Sequence, residues 1–197
     1  MTLLNVDKLV MKHYIQYWGE PIEVNKLDWP QEGGLGGSFR IVKFVPQADE
    51  KRIYATVGLS AQAMPARLPT PNDAFEPRAE LFIYADLETN SLIELLTALV
   101  VYPFENQTFL WTRQTILGKS PVTDHSKMTS VYITSPYFEE ESFHSLHIND
   151  HHIQMLWIVP IYESEREYKI KYGWQALEEL FEEKELDIWS LQRDPLV

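Results

Sequence analysis

Ile153–Tyr162 reads IQMLWIVPIY, and its reading decides the fold. Nine of its ten residues are apolar or aromatic, with Gln154 the exception. Strands buried on both faces are near-continuous apolar runs, whereas half-exposed strands alternate. The stretch is therefore expected at the centre of a sheet. Pro160 has no N–H for a ladder bond, so it marks the end of the strand or a bulge. Just upstream lies His144–His152, HSLHINDHH, which holds four of the six histidines. Asn149-Asp150 tolerates turn conformations, so strands over 144–148 and 151–161 are expected to close as a two-residue hairpin. In that register Ile148 faces His151, and His147 faces His152 on one surface of the ladder. His144 points to the other surface.

Working outward, residues 5–18 have the spacing of an amphipathic helix, with Val6, Leu9, Val10, His13, Tyr14, Tyr17 and Trp18 on its inner side. Gly19 and Pro21 stop it. Gly33–Gly37, GGLGG, lacks the Gly-Lys-Ser/Thr ending of a phosphate loop and is expected as a turn into the strand FRIVKFVP. RIYATV and RAELFIYAD are further strands, separated by a proline-rich loop. SLIELLTALVVYPF is a helix, in which Ser91 and Glu94 have capping-box spacing and Pro103 limits the end. Strands follow at 111–117 and within SKMTSVYITSP, then a loop with Glu139-Glu140-Glu141. GWQALEELFEEKE is the last helix, and LDIWSLQRDP a short strand or extended tail. This order is not a regular βαβ alternation. It predicts an α+β fold, a mixed, largely antiparallel β-sheet flanked by helices. Residues 1–197 are expected as one domain, with 1–34 a helix and a Gly-rich connection.

Composition narrows the chemistry. The formal net charge is -12. Nucleic acid and anionic membranes need a positive face, so neither is expected as a partner. Basic proteins are favoured by long-range attraction. The absence of cysteine excludes disulfides, thiolate zinc sites and cysteine nucleophiles. The N-terminal stretch lacks the features of a signal peptide, and no apolar run is long enough for a bilayer. A cytoplasmic location is the expectation.

The catalytic signals are weak. His147 and His152 converge, with Asp150 near in sequence, but zinc needs three or four ligands. The expectation is no metal and no cofactor, with a metal-assisted hydrolase on these three residues as the competing class. No Gly-x-Ser-x-Gly elbow is present. Glu163, Glu165 and Glu167 alternate and would share one face of an extended segment. Together with Tyr137, Phe138, Glu139, Glu140, Glu141 and Asp150, Glu163 and Glu165 form the candidate partner-binding surface. Aromatic anchors there would supply contact energy and carboxylates steering.

RAELFIYAD, SLIELLTALVVYPF, TILGKSPV, IQMLWIVPIYESERE, KYGWQALEELF and DIWSLQRDP together resemble the suppressor-of-fused domain family over roughly residues 35–195. The resemblance implies an α/β sandwich with no cofactor and no catalytic residues, thus a non-enzymatic binding domain. Animal members hold a peptide of a transcription factor, helped by an acidic residue that aligns near Gln114; WTRQTILG contains no acid, which departs from that ligand. Short bacterial members resemble immunity proteins, or antitoxins, of polymorphic toxin systems. The implied partner is a basic toxin domain, with nuclease toxins the natural case. A scaffold that sequesters its partner by strand addition is the alternative.

Overall fold

The computed structural model describes residues 3–29, 37–45, 51–66 and 76–197. β8 (His151–Ile161) is the spine of an eight-stranded sheet among these residues. β4 (Arg78–Ala85) runs parallel along one side of it, with Phe82 opposite Trp157. β6 (Ser130–Thr134) runs antiparallel along the other, with Tyr132 opposite Val159. Beyond β4 lie β3 (Arg52–Val57), β2 (Ser38–Phe44) and β1 (Glu23–Asp28), all antiparallel. Beyond β6 lies β5 (Gln114–Leu117). β4–β8 is the parallel pair in a largely antiparallel α+β architecture. The apolar run at 153–162 is thus central, and Pro160 sits one residue before the strand ends.

β7 (Ser145–Ile148) and β8 form the expected hairpin, with His147 opposite His152 and Ile148 opposite His151. β4 also borders Ile153 and Gln154, so β7 and β6 share the other flank of β8, end to end. The chain between them, residues 135–144, leaves the sheet plane and returns.

Each face has its own core. Phe82 and Tyr84 of β4 point to one face and Leu81, Ile83 and Ala85 to the other, the period of two of a strand. α1 (Leu3–Trp18) lays Val6, Val10, Tyr14 and Trp18 on the first face, and α4 (Trp174–Glu183) adds Leu177, Leu180 and Phe181 beside it. α2 (Ser91–Asn106) covers the second with Leu92, Leu96, Leu99 and Val100. Burying each such side chain stabilises by about 1.5–3 kcal/mol.

Four expectations are corrected. Residues 23–28 form β1, not part of a connection. Its mostly exposed, polar sequence EVNKLD hides an edge strand from a periodicity reading. Residues Glu163–Tyr172 form α3, not an extended segment. Glu165 accepts the Tyr162 N–H at 2.9 Å, and acids open the helix while Lys169 and Lys171 close it, which suits its dipole. The Ser91–Glu94 box does not form: the Asn90 carbonyl already accepts the Ile93 and Glu94 N–H groups, which puts Ser91 inside the helix, its hydroxyl 3.2 Å from Thr89 Oγ1. Pro103 is inside α2, which continues to Asn106. The tail after α4 carries no strand. Most of Gly33–Gly37 lies outside the described residues, as does much of the proline-rich loop.

Candidate functional site

The excursion at 135–144 carries most of the predicted contact residues. Its inner side is bound to three elements. From α1, His13 Nε2 lies 3.0 Å from the Phe143 carbonyl, Tyr17 donates to Ser142 Oγ at 2.8 Å, and Trp18 Nε1 donates to Glu139 at 2.9 Å. From the sheet, the Tyr84 hydroxyl donates to the same Glu139 oxygen at 2.6 Å. From α4, Glu178 accepts from Tyr132 at 2.7 Å, from Thr134 at 3.0 Å, and from Tyr137. Phe143 is fully buried, stacked on His13 and packed edge-on to Tyr17 and Phe82.

Burial sets the electrostatics here. It lowers the His13 pKa, which the Phe143 carbonyl partly opposes, so the imidazole is biased neutral. Burial, then the Glu139 charge, raises the Tyr84 hydroxyl far above its usual range. Burial and the bond to Glu178 do the same for Tyr132 and Tyr137. These phenols stay protonated donors.

The outer side of the loop faces solvent. Tyr137 is 48% exposed and Phe138 65% exposed, both edge-on to the buried Trp157. Glu140 and Glu141 are exposed beside them. Tyr137, Phe138, Glu140 and Glu141 therefore stand together on the exposed side of the loop.

The other predicted contact residues are placed elsewhere. Glu139 is partly buried, and its carboxylate is occupied by Trp18 and Tyr84, so it holds the loop rather than facing outward. Glu165 is fully buried: Arg193 grips both its oxygens at 2.5 and 2.7 Å, and the Leu196 N–H adds a bond of 3.0 Å. It fastens the C-terminal segment and is unavailable to a partner. Glu163 pairs with Arg166 and accepts from Ser130 at 3.3 Å. Asp150 is exposed at the hairpin tip. Asp150 and Glu163 flank opposite ends of the 11-residue β8, roughly 35 Å apart at strand rise, so they share no patch.

At the hairpin His147 and His152 stack with ring centres 4.3 Å apart. His144 instead turns to the Glu139 carbonyl at 3.3 Å, outside the strand. Among the described residues no three His, Asp or Glu side chains gather as a metal-holding group. No helix among them is long and apolar enough to cross a membrane.

A family model for Suppressor of fused protein (SUFU) matches residues 38–194. The chain belongs to the suppressor-of-fused family. Among solved structures it is similar to a suppressor-of-fused homolog from Neisseria gonorrhoeae, with 19% identity, a TM-score of 0.76 and 98% of each chain covered. It is also similar to a chain of the Sufu-Fu complex, with 12% identity and a TM-score of 0.69, covering 97% of this chain and 92% of that one. Drosophila Suppressor of Fused matches with 12% identity and a TM-score of 0.65, over 95% of this chain and 50% of that one. No curated protein matches. At these identities the structures establish the shared fold. Within this family member the clamp residues His13, Tyr17 and Trp18 lie before the matched span. A signal for them was present, because Tyr17 and Trp18 crowd the end of α1, where a surface helix rarely needs two large aromatics.

Proposed function

We propose that this chain is a non-enzymatic protein-binding domain, acting as one unit over residues 1–197. It occludes a basic toxin domain in the cytoplasm, the role of an immunity protein. The observation that carries the reading is the exposed pair Tyr137 and Phe138 on a loop whose inner side is fixed by α1, β4 and α4. Exposed aromatics held rigidly are what interface hot spots require, because little conformational entropy remains to be lost on binding. Glu140 and Glu141 at the rim, and a net charge of -12, steer a cationic partner and set the salt dependence of its capture. Binding in the family is represented by the Sufu-Fu complex, which lends support by analogy.

The test is capture from native lysate at low and high salt with the wild type and Phe138→Ala. The retained protein is then expressed with and without this chain. Support is a basic domain, held less well at high salt and by the variant, whose toxicity the chain relieves. Retention of no toxic protein at either salt overturns the immunity reading. Sequestration by strand addition is favoured by one observation, the outer edge of β5, whose strand neighbour among the described residues is β6 alone. A short peptide that suffices for full affinity would select that reading over occlusion of a folded domain.

A further inference from the structure

Arg113 enters β5 with a φ of 70°. This left-handed conformation is uncommon for any residue with a Cβ, and strain of this kind gathers at functional positions. The Arg113 N–H donates to the Ile133 carbonyl at 2.7 Å, so the ladder holds the backbone in place. The side chain is exposed, and its guanidinium carbon lies 3.5 Å from the centre of the Trp174 ring. Among the described residues it forms no ion pair. Among the described arginines that sets it apart. Arg40 is paired with Asp7, Lys43 with Glu23 and Glu88, Arg78 with Glu76, Arg166 with Glu163 and Arg193 with Glu165.

Stacking on an indole spends the face of a guanidinium and leaves its in-plane N–H groups free. That fork matches the two oxygens of a carboxylate. Exposed apolar side chains stand nearby in the chain: Leu117 at the far end of β5, and Ile170 and Tyr172, which lead into Trp174. The Arg113 charge is also felt by the exposed Tyr137, which joins this corner to the contact loop.

We propose that Arg113, laid on Trp174, receives an acidic side chain of a protein partner, presented next to an apolar residue in an extended segment. This deepens the protein-binding reading and requires only that part of it. It also adds selectivity: a partner drawn in by the acidic surface is held here only if it offers a carboxylate at this point, which a plain polycation lacks.

The probe is the capped peptide acetyl-Val-Glu-Val-amide, with acetyl-Val-Gln-Val-amide as its neutral counterpart, added to the full chain at millimolar concentration. The readout is NMR of the Arg113 Nε–H and Trp174 Nε1–H signals. The Glu peptide is expected to shift both with at least tenfold higher affinity than the Gln peptide. Arg113→Lys, which keeps the charge without the fork, is expected to bind about tenfold more weakly, and Arg113→Gln to abolish the response. Arg113→Gly relieves the backbone and still removes the guanidinium, so its loss of response separates recognition from misfolding. Equal shifts from the two peptides, no shift from either, or a response that survives in Arg113→Gln would overturn the proposal. So would an equal response to acetyl-Val-Val, whose carboxylate is terminal. Phe138-dependent capture reads the loop rather than Arg113, so the two readings fail separately.

Discussion

The excursion at 135–144 and the histidine hairpin tip at 147–152 follow one another in the chain, and both carry groups suited to contact or catalysis. They are held very differently. The excursion has a fully buried phenylalanine at one end, a carboxylate shared by Trp18 and Tyr84 in the middle, and a tyrosine tied to α4 at the other end. The tip has a two-residue turn with Asn149 at a φ of 53°, an exposed pair of stacked imidazoles, and a weak approach of His151 to Glu76 at 3.7 Å. The difference teaches that clustering of functional groups in sequence says little about pre-organisation. What matters is how many separate elements fix the backbone that presents them.

The sharpest way to break this comparison is to remove the buried end of the excursion. Phe143→Ala deletes a ring packed against α1 and β4 and leaves a cavity between them. A loss of about 3–5 kcal/mol is expected in urea unfolding, the usual cost of such a deletion. A loss under 1 kcal/mol would mean the excursion is not part of the core at all.

A second test concerns the footing of α1. Glu80 is fully buried beneath this helix, where it accepts from Thr56 Oγ1 and Ser60 Oγ at 2.6 Å each and from the Gly58 and Ser60 N–H groups at 3.0 Å each. Desolvation outweighs these four donors and pushes its carboxyl up to about 7. The folded state therefore holds this proton more tightly than the unfolded chain. The stability from that preference is complete below pH 4.5 and is lost as pH rises through 7, up to about 3 kcal/mol. His13, lowered by burial, acts with the opposite sign: its contribution is present above 6.5 and is lost as pH falls through its lower folded value. The two oppose each other between pH 5 and 7. In thermal melts across this range, Glu80→Gln should gain stability with pH relative to wild type, and His13→Gln should lose it. Parallel profiles for all three proteins would refute both assignments.

Glu139→Ala comes next in size. It strands the Trp18 N–H and the Tyr84 hydroxyl, each buried or nearly so, at an expected cost of about 1–3 kcal/mol. Hydrogen exchange at residues 137–144 should accelerate, while that of β7 and β8 stays as in wild type. Equal acceleration at the hairpin would join the two regions that the contacts keep apart.

The sequence made the frame of the fold legible and misplaced part of the site, for physical reasons. The run at 153–162 and the helix at 91–106 announce themselves because burial on two faces, or on one helical stripe, leaves an apolar pattern. The register of the histidine hairpin follows from its turn residues. β1 and α3 bury too little apolar surface to leave such a pattern, and the one buried residue of α3 is Glu165. Charges are seldom fully buried unless paired, so a reading by polarity sends Glu139 and Glu165 to the surface. Their partners Trp18, Tyr84 and Arg193 are 121, 55 and 28 residues away, which no local pattern can reveal. Acids opening and lysines closing 163–172 were the available sign of α3.

The smallest effect is expected where the sequence looks most eventful. His147→Ala and His152→Ala remove exposed rings whose neighbours are each other and Gln154. Either substitution should change stability by less than about 0.5 kcal/mol, as surface changes usually do. Burial and the His147 charge both lower the His152 pKa, so the pair resists a second proton. At pH 5 its charging should weaken the stack, and removing one ring should stabilise the hairpin slightly rather than harm it. The measurement is the pH dependence of exchange at the β7 and β8 amides in wild type and His147→Ala. If His147→Ala instead loosens the hairpin at pH 7 as much as Glu139→Ala loosens the excursion, the tip is a structural joint in its own right. The contrast between a clamped excursion and a lightly held tip would then not hold.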